Sequence, residues 1–331
     1  MSRKIILQPD EQAKEFTYGI EIETTVPKAK RMGIGTYSEP KQVRGCPTGW
    51  VSKTDSSIHP DYNYKGAEII SPVLQGIDGM EQIKKVTDKL QALGAVPNDS
   101  CGFHVHVGLP KQCYGNGYRD EIETKKFLAN LISWTGKHEL ALYASTGNIG
   151  RVGNTYCSSV QERYDLEVIR EQPPSYLNDT FSPHAERYNV INIHNVFDNY
   201  RPDTIEFRVF PGTINFTDMQ GYVQITLGLV RKALGVGCKN YDKKPSTWGE
   251  KYGYTPGKFA VDQLLYSLWW QYNDSKHSVM YGWITELEES KAILYRLFQS
   301  ATMFDEQVID NCPYHGRRQK EVLKKWYKLE E

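Results

Sequence analysis

The sequence Gly102-Phe-His-Val-His-Val-Gly108 alternates apolar and polar side chains throughout, which is typical of a β-strand with two unlike faces. The apolar residues share one face, where they can pack on a core. His104 and His106 share the other face and lie about 7 Å apart, given a rise of roughly 3.3 Å per residue. Two such imidazoles can bind one ligand together, or they can be ordinary core histidines. The neighbouring segments bear on this choice.

Three other segments, 16–26, 66–71 and 203–210, are predicted strands that carry charged residues on one face. Strands disfavour glutamate, and neighbouring like charges repel each other. Several strands with this same unusual choice therefore indicate a shared site. The predicted polar sheet face consists of Glu21, Glu23, Glu68, His104, His106, Glu206 and Arg208.

An acidic sheet face is either exposed to solvent or occupied by divalent cations, and the repetition favours cations. Glutamate oxygens suit Mg²⁺ and Mn²⁺, whereas histidines move the preference towards Mn²⁺ or Zn²⁺. Arg208 among metal-bound carboxylates needs an anion to face. A phosphoryl group in transfer meets that need.

Composition excludes several classes of protein. The chain has 331 residues with 40 Lys+Arg and 40 Asp+Glu, so a general nucleic-acid binder or membrane-surface binder is not expected. The six scattered cysteines form no C-x-x-C pair, which favours a reducing compartment and hence the cytoplasm. Residues 1–9 do not resemble a signal peptide, and no apolar run is long enough for a membrane span.

The remaining pattern is mainly helical. Amphipathic helices are predicted over 77–93, 120–144, 158–170, 218–235, 257–271, 286–303 and 317–328, with a long loop at 27–49 and a further strand at 186–195. Residues 50–58 are predicted as a short strand and a turn. We expect an α+β fold, in which antiparallel strands form a sheet with helices packed on one face.

Six motifs in order resemble the amidoligase family of carboxylate–amine ligases, which have the glutamine synthetase and glutamate–cysteine ligase fold. The motifs are Gly19-Ile-Glu-Ile-Glu23, Trp50 with Asp55-Ser56, Glu68-Ile-Ile-Ser-Pro72, Gly102 to Gly108, Arg187-Tyr-Asn189 and Thr204-Ile-Glu-Phe-Arg208. The resemblance spans roughly residues 16–215. It implies a catalytic core over 1–215, built on a glutamine synthetase-like half-barrel, and a helical elaboration of the same domain over 216–331.

The resemblance also implies a chemistry. ATP would phosphorylate a substrate carboxylate, and an amine would attack the acyl phosphate to give an amide or isopeptide bond. Two or three Mg²⁺ (or Mn²⁺) ions would hold the ATP phosphates. The implied metal or metal–nucleotide ligands are Glu21, Glu23, Glu68, His104 and Glu206.

Four further residues have implied roles at the substrates. His106 would bind a metal or a phosphate, and Arg208 would clamp the γ-phosphate and the acyl phosphate. Arg187 would hold a substrate carboxylate or a phosphate. Asp55 would accept a proton from the attacking amine.

The substrates themselves remain open: a small-molecule or peptide carboxylate, and an amine acceptor that could be an amino acid, a peptide or a modified nucleotide. Segments 27–49, 110–119 and 145–185 are expected to bind them, and the chain has no P-loop. Two alternatives stay open. One is a zinc hydrolase that uses His104, His106 and a glutamate; the other is an inactive binding protein with the same fold.

Overall fold

The computed structural model describes residues 16–173, 177, 181, 187–235, 255–269, 288–310, 317–324 and 327. The strands are β1 (Tyr18–Pro27), β2 (Lys41–Gln42), β3 (Val51–Lys53), β4 (Tyr64–Ile70), β5 (Gly102–Gly108), β6 (Tyr114–Gly115), β7 (Tyr118–Arg119), β8 (Ile191–Asn192) and β9 (Thr204–Pro211). The helices are α1 (Gly76–Ala92), α2 (Glu121–Lys137), α3 (Glu139–Thr146), α4 (Val160–Arg163), α5 (Leu166–Glu171), α6 (His194–Phe197), α7 (Phe216–Gly235), α8 (Pro256–Trp269), α9 (Glu288–Asp310) and α10 (Arg317–Leu323).

Seven strands form one sheet in the order β2-β3-β4-β1-β5-β9-β8, and β6 pairs with β7. Every ladder between the named strands is antiparallel. Strand β1 lies at the centre, because its alternating pattern lets it bury one face while both edges pair with long neighbours. The predicted α+β class with an antiparallel sheet and a helical C-terminal part is confirmed.

The apolar face of the sheet is covered by helices. Ile22, Phe103 and Phe207 are fully buried. The ring of Tyr222 in α7 stacks on Phe210 at 4.3 Å and lies 6.0 Å from Phe103. Helix α1 packs against α7, although Ile77, which the helical pattern assigned to the apolar face, is 45% exposed. The opposite face of the sheet is left for polar side chains.

Three predictions of secondary structure were wrong in detail. The single helix over 120–144 is two helices that meet at His138, because the buried Glu139 carboxylate accepts hydrogen bonds from Ser159 and Val160 and ties the second helix inward. The helix over 158–170 is the short pair α4 and α5. Of the strand predicted over 186–195, the described residues 187–195 form a sheet strand at β8, and His194 begins a helical turn.

The C-terminal helices pack on the same body. Helices α8 and α9 contact α3, α7 and each other. Helix α9 ends at Asp310, beyond its predicted end at 303. Parts of the predicted helices 257–271, 286–303 and 317–328 lie outside the described residues. The division at residue 215 stays a prediction.

Two features of the described residues relate to the predicted cellular compartment. The four described cysteines, Cys46, Cys101, Cys113 and Cys157, carry free thiols, while Cys238 and Cys312 lie outside the described residues. Among the helices that the structure describes, none combines the length and the apolar character needed to cross a bilayer.

Candidate active site

The register of the sheet brings the predicted polar residues of different strands side by side. Glu21 of β1 lies opposite His104 of β5. Glu23 lies opposite Glu68 of β4. His106 lies opposite Glu206 of β9. Since directly opposite residues on one face are close neighbours, the antiparallel pairing itself concentrates acids and imidazoles at the centre of the sheet.

All the predicted site residues line one cleft of about 560 Å³ on this face. They are Glu21, Glu23, Asp55, Glu68, His104, His106, Arg187, Glu206 and Arg208. The structure therefore brings together, from segments far apart in the chain, every residue that the sequence nominated. Their individual roles stay predictions.

His104 sits among three of the carboxylates. Its Nδ1 lies 3.0 Å from Oε2 of Glu21 and 3.4 Å from Oε1 of Glu206. Its Nε2 lies 3.9 Å from Oε1 of Glu23. Both ring nitrogens thus face acids, and the buried imidazole spaces these carboxylates apart.

Among the described residues, Glu21, His106 and Glu206 form a group that could hold a cation. One ligand atom from each of the three lies within 4.8 Å of the others. Nε2 of His106 is 3.2 Å from Oε1 of Glu21, yet it is buried and makes no aligned hydrogen bond among the described residues. A deprotonated imidazole nitrogen between two carboxylates suits Mn²⁺ or Zn²⁺, whereas Mg²⁺ prefers the carboxylate oxygens.

The electrostatics of the cluster follow from its burial. Burial opposes the charge of Glu21, but the adjacent His106 and His104 hold its pKa well below its usual range. Burial would lower the pKa of His106, yet Glu21 and Glu206 raise it to about 9. Burial, together with the charge of Glu21, raises the pKa of Glu68 to about 8. This excess of buried acid attracts positive charge.

Backbone and lysine contacts hold the other two acids. The Gly102 N–H donates to Oε2 of Glu23 at 2.6 Å. Nζ of Lys53 lies 3.3 Å from Oε1 of Glu68 and 4.5 Å from the centre of the Tyr37 ring. Glu23 and Glu68 are therefore fixed in place without a direct bond to the cation group.

The arginines lie at the other side of the cleft. Arg208 pairs with Oε1 of Glu206, and its Nε donates to the Tyr156 carbonyl at 3.3 Å. The guanidinium groups of Arg208 and Arg187 lie 5.7 Å and 4.9 Å from the Tyr188 ring. Two cations beside an aromatic ring make this side suited to anionic or planar groups.

Asp55 projects into the cleft from the turn after β3. Its Oδ1 accepts hydrogen bonds from the backbone N–H of Ser57 at 2.7 Å and from the Ser57 hydroxyl. Burial works against its charge, but the Ser57 hydrogen bonds lower its pKa. Asp55 is therefore an ionised carboxylate held in one orientation.

A model of the protein family described as "Putative amidoligase enzyme" matches residues 14–230 of the chain. The chain belongs to the amidoligase family. This membership supports a carboxylate–amine ligase. No curated protein matches the chain significantly.

Two solved structures are similar to this amidoligase. A bifunctional glutathione synthetase from Pasteurella multocida matches with a TM-score of 0.43 and 12% identity, over 93% of this chain and 51% of that one. A GmaS/ADP complex matches with a TM-score of 0.39 and 10% identity, over 94% of this chain and 73% of that one. This amidoligase spans about half the length of the glutathione synthetase.

Sequence reasoning missed several residues of the amidoligase cleft, and two of them contact its glutamates. Asn192 donates from Nδ2 to Oε2 of Glu206 at 2.7 Å, and Lys53 binds Glu68. Strict alternation from Arg187 puts Asn192 on the opposite face, and the irregular backbone before β8 reverses this. Lys53 could have been found, because a lysine in a strand beside an acidic strand is a candidate counter-charge.

Proposed function

We propose that this amidoligase is an ATP-dependent ligase that joins a carboxylate to an amine through an acyl phosphate. The observation that carries the proposal is the single cleft in which the acids, imidazoles and arginines nominated by the sequence converge. ATP, the donor carboxylate and the released phosphate are all anions. An acidic cleft binds anions only through bridging cations or arginines.

The residues suit such cations. Glu21, His106 and Glu206 would hold one Mg²⁺ or Mn²⁺, and Glu23, Glu68 and His104 line the same cleft. A bound divalent cation supplies positive charge to the phosphate oxygens of the nucleotide. Arg208 would orient the transferred phosphoryl group with its planar guanidinium fork. Arg187 would hold a carboxylate or a phosphate next to Tyr188.

The proposed reaction balances without a further reagent. A carboxylate oxygen attacks the γ-phosphorus, and ADP leaves with the bonding electrons. The amine nitrogen, after losing one proton, attacks the acyl carbon; the C–O bond to phosphate breaks and inorganic phosphate leaves. The nitrogen then loses its second proton. Asp55, ionised and fixed by Ser57, is the proposed acceptor of a proton from the amine.

The proposal can be tested with a mixed pool of carboxylates and amines. ADP release that needs Mg²⁺ and rises with the pool, together with a new amide detected by mass spectrometry, is the expected result. Arg208→Lys should lose most of this activity, because an ammonium group cannot reproduce the guanidinium fork. Glu81→Gln, at an exposed position in α1, is the control and should retain it. ADP release that proceeds equally in the Arg208 variant would contradict the proposal.

The zinc-hydrolase alternative is less well supported by the geometry. It needs both imidazoles on one cation, whereas the ligand group found among the described residues contains His106 and not His104. Tight stoichiometric zinc binding and hydrolysis without ATP would instead favour the hydrolase.

The inactive-protein alternative predicts no nucleotide turnover with any substrate pool.

A further inference from the structure

A second cavity, of about 500 Å³, lies at the end of the sheet where β1 begins and where β4 and β5 end. We call it the rim cavity; its lining includes Tyr18, Ser71, Val73, Leu109, Tyr114 and Thr204. Glu21, His106 and Asn195 line both the rim cavity and the cleft. The two cavities therefore meet at two residues of the candidate cation group.

The two cavities differ in charge. The cleft is lined by Lys53, Arg187, Arg201 and Arg208 in addition to its acids. Of the described residues that line the rim cavity, none is a lysine or an arginine. An anion in the cleft finds lysine and arginine partners, whereas an anion in the rim cavity would face the carboxylates of Glu21 and Asp203 with no lysine or arginine in the lining.

The acids that line the rim cavity are Glu21 and Asp203, and its other titratable lining residues are His106, Tyr18 and Tyr114. Asp203 is held in place by the Tyr114 hydroxyl, which donates to Oδ2 at 2.6 Å, and by Arg119, whose Nη1 lies 3.0 Å from Oδ1. Because the Asp203 carboxylate is already paired with these two side chains, its main effect is to hold the wall of the rim cavity in place. Glu21 then remains as the acid at the junction with the cleft.

The rest of the lining is largely apolar or uncharged. Pro72, Val73, Leu109 and Pro202 provide apolar surface, and Ser71 and Thr204 provide hydroxyl oxygens. Oγ of Ser71 accepts from the Ile20 N–H at 2.8 Å, and Oγ1 of Thr204 lies 3.1 Å from Nδ2 of Asn195. A hydroxyl oxygen can accept a second hydrogen bond, so the cavity combines apolar walls with acceptors suited to N–H groups.

We propose that the rim cavity binds the amine substrate, with an apolar or aromatic body against its walls and its nitrogen directed past Glu21 and His106 into the cleft. This inference rests on the proposed ligase function, which requires an amine to reach an acyl phosphate in the cleft. It adds that the carboxylate substrate enters through the cleft and the amine substrate through the rim cavity, because the two cavities differ in charge. The amine would attack the acyl phosphate in the cleft with release of inorganic phosphate, and no further reagent is needed.

The test compares two probes of the same shape and opposite charge, phenethylamine and 3-phenylpropionate. Their affinities for the whole protein are measured by NMR titration without nucleotide. Val73, which is 78% exposed at the rim, is changed to Lys and to Asp. Val96→Lys is the control, because Val96 is 51% exposed and lines neither cavity.

We expect phenethylamine to bind more tightly than 3-phenylpropionate. Val73→Lys should weaken phenethylamine about two- to fivefold and Val73→Asp should strengthen it by a similar factor, the size expected for one exposed charge. The control should leave it unchanged. Absence of phenethylamine binding, equal or tighter 3-phenylpropionate binding, or unchanged affinity in both Val73 variants would overturn the inference.

Nucleotide binding, measured in the same samples, separates the two proposals. Mg²⁺-dependent ATP binding without a rim-dependent amine preference would overturn the rim cavity's role and leave the ligase proposal in place. An amine preference that follows the Val73 charge, without any Mg²⁺-dependent ATP binding, would contradict the ligase proposal while supporting the cavity's ligand class.

Discussion

The backbone N–H of Gly102 donates a 2.6 Å hydrogen bond to the carboxylate of Glu23, which lies 79 residues earlier in the chain. A Cβ at Gly102 would lie 2.7 Å from Nε2 of His104 and 3.3 Å from Oε2 of Glu23. The glycine thus lets two strands bring an imidazole and a carboxylate together. It connects the local sequence of β5 directly to the geometry of the cleft.

Gly102→Ala is expected to displace His104 and Glu23 and to weaken Mn²⁺ binding about tenfold or more, while the protein still folds. Electron paramagnetic resonance of free Mn²⁺ measures this affinity. Gly115→Ala is the control, since a Cβ there would meet only Asp120 at 3.8 Å. Equal Mn²⁺ affinity in both variants would show that this close approach is unimportant for the site.

Asn192→Ala is expected to reduce Mg²⁺-dependent nucleotide binding about three- to tenfold, because Oε2 of Glu206 loses the amide that orients it. Calorimetric titration with ATP and Mg²⁺ measures the change. Asn130→Ala also removes one side-chain hydrogen bond, to the carbonyl of Ala233 at 3.0 Å, outside the residues that line the cleft. Similar nucleotide affinities in the two variants would count against a positioning role for Asn192.

Asp305 joins the C-terminal helices. Its carboxylate accepts hydrogen bonds from the backbone N–H groups of Gly257 and Lys258 at the start of α8 and from the hydroxyls of Thr255 and Tyr327. Asp305→Ala should cost roughly 2–4 kcal/mol of unfolding free energy. If residues 216–331 belong to the same domain, urea unfolding should remain a single transition at a lower midpoint.

Asp310→Ala, at the exposed end of the same helix, is the control for Asp305 and should leave the midpoint nearly unchanged. Two separate transitions in Asp305→Ala, one of them at the wild-type midpoint, would contradict the one-domain prediction.

The environment of His138 predicts that the protein loses folding stability in acid. It is buried between α2 and α3, stacks on Trp134 at 5.8 Å, and its Nε2 has no hydrogen-bond partner among the described residues. Burial, with the nearby Lys137 and Lys232, lowers its pKa to about 3. The unfolded chain therefore binds a proton near pH 6.5 that the folded protein rejects, so stability is lost as the pH falls below that value.

Urea unfolding at pH 7.5 and pH 5 measures this loss. His138 should contribute about 2 kcal/mol of it, and His138→Phe should lose correspondingly less stability between the two pH values. His59→Gln, at an exposed position, should behave as the wild type does. The same pH-dependent loss in His138→Phe and the wild type would refute the prediction.

Much of the site could be predicted because period-two alternation is a local signal. The sheet face on which a residue lies follows from the alternation alone, without knowledge of the partner strand. This holds for Glu21 and Glu23 in β1, His104 and His106 in β5, and Glu206 in β9. Antiparallel pairing of these strands then places their polar residues side by side on one face of the sheet.

What could not be predicted depends on long-range contacts. The break at His138 follows from the tether of Glu139 to residues 20 and 21 positions later. Asn192 reaches Glu206 only because the chain before β8 is irregular, which alternation does not encode. The rim cavity forms where β1 and β9 begin and β4 and β5 end, and no pattern along the chain shows that these strand ends enclose a cavity.

The most direct test of the proposed function is calorimetric titration of the protein with a non-hydrolysable ATP analogue, with and without Mg²⁺. The wild type and Glu81→Gln should bind the analogue only with Mg²⁺, and Glu206→Gln should bind it at least tenfold more weakly. Binding that is equally tight without a divalent cation, or unchanged in Glu206→Gln, would contradict a cation-bridged nucleotide site in the cleft.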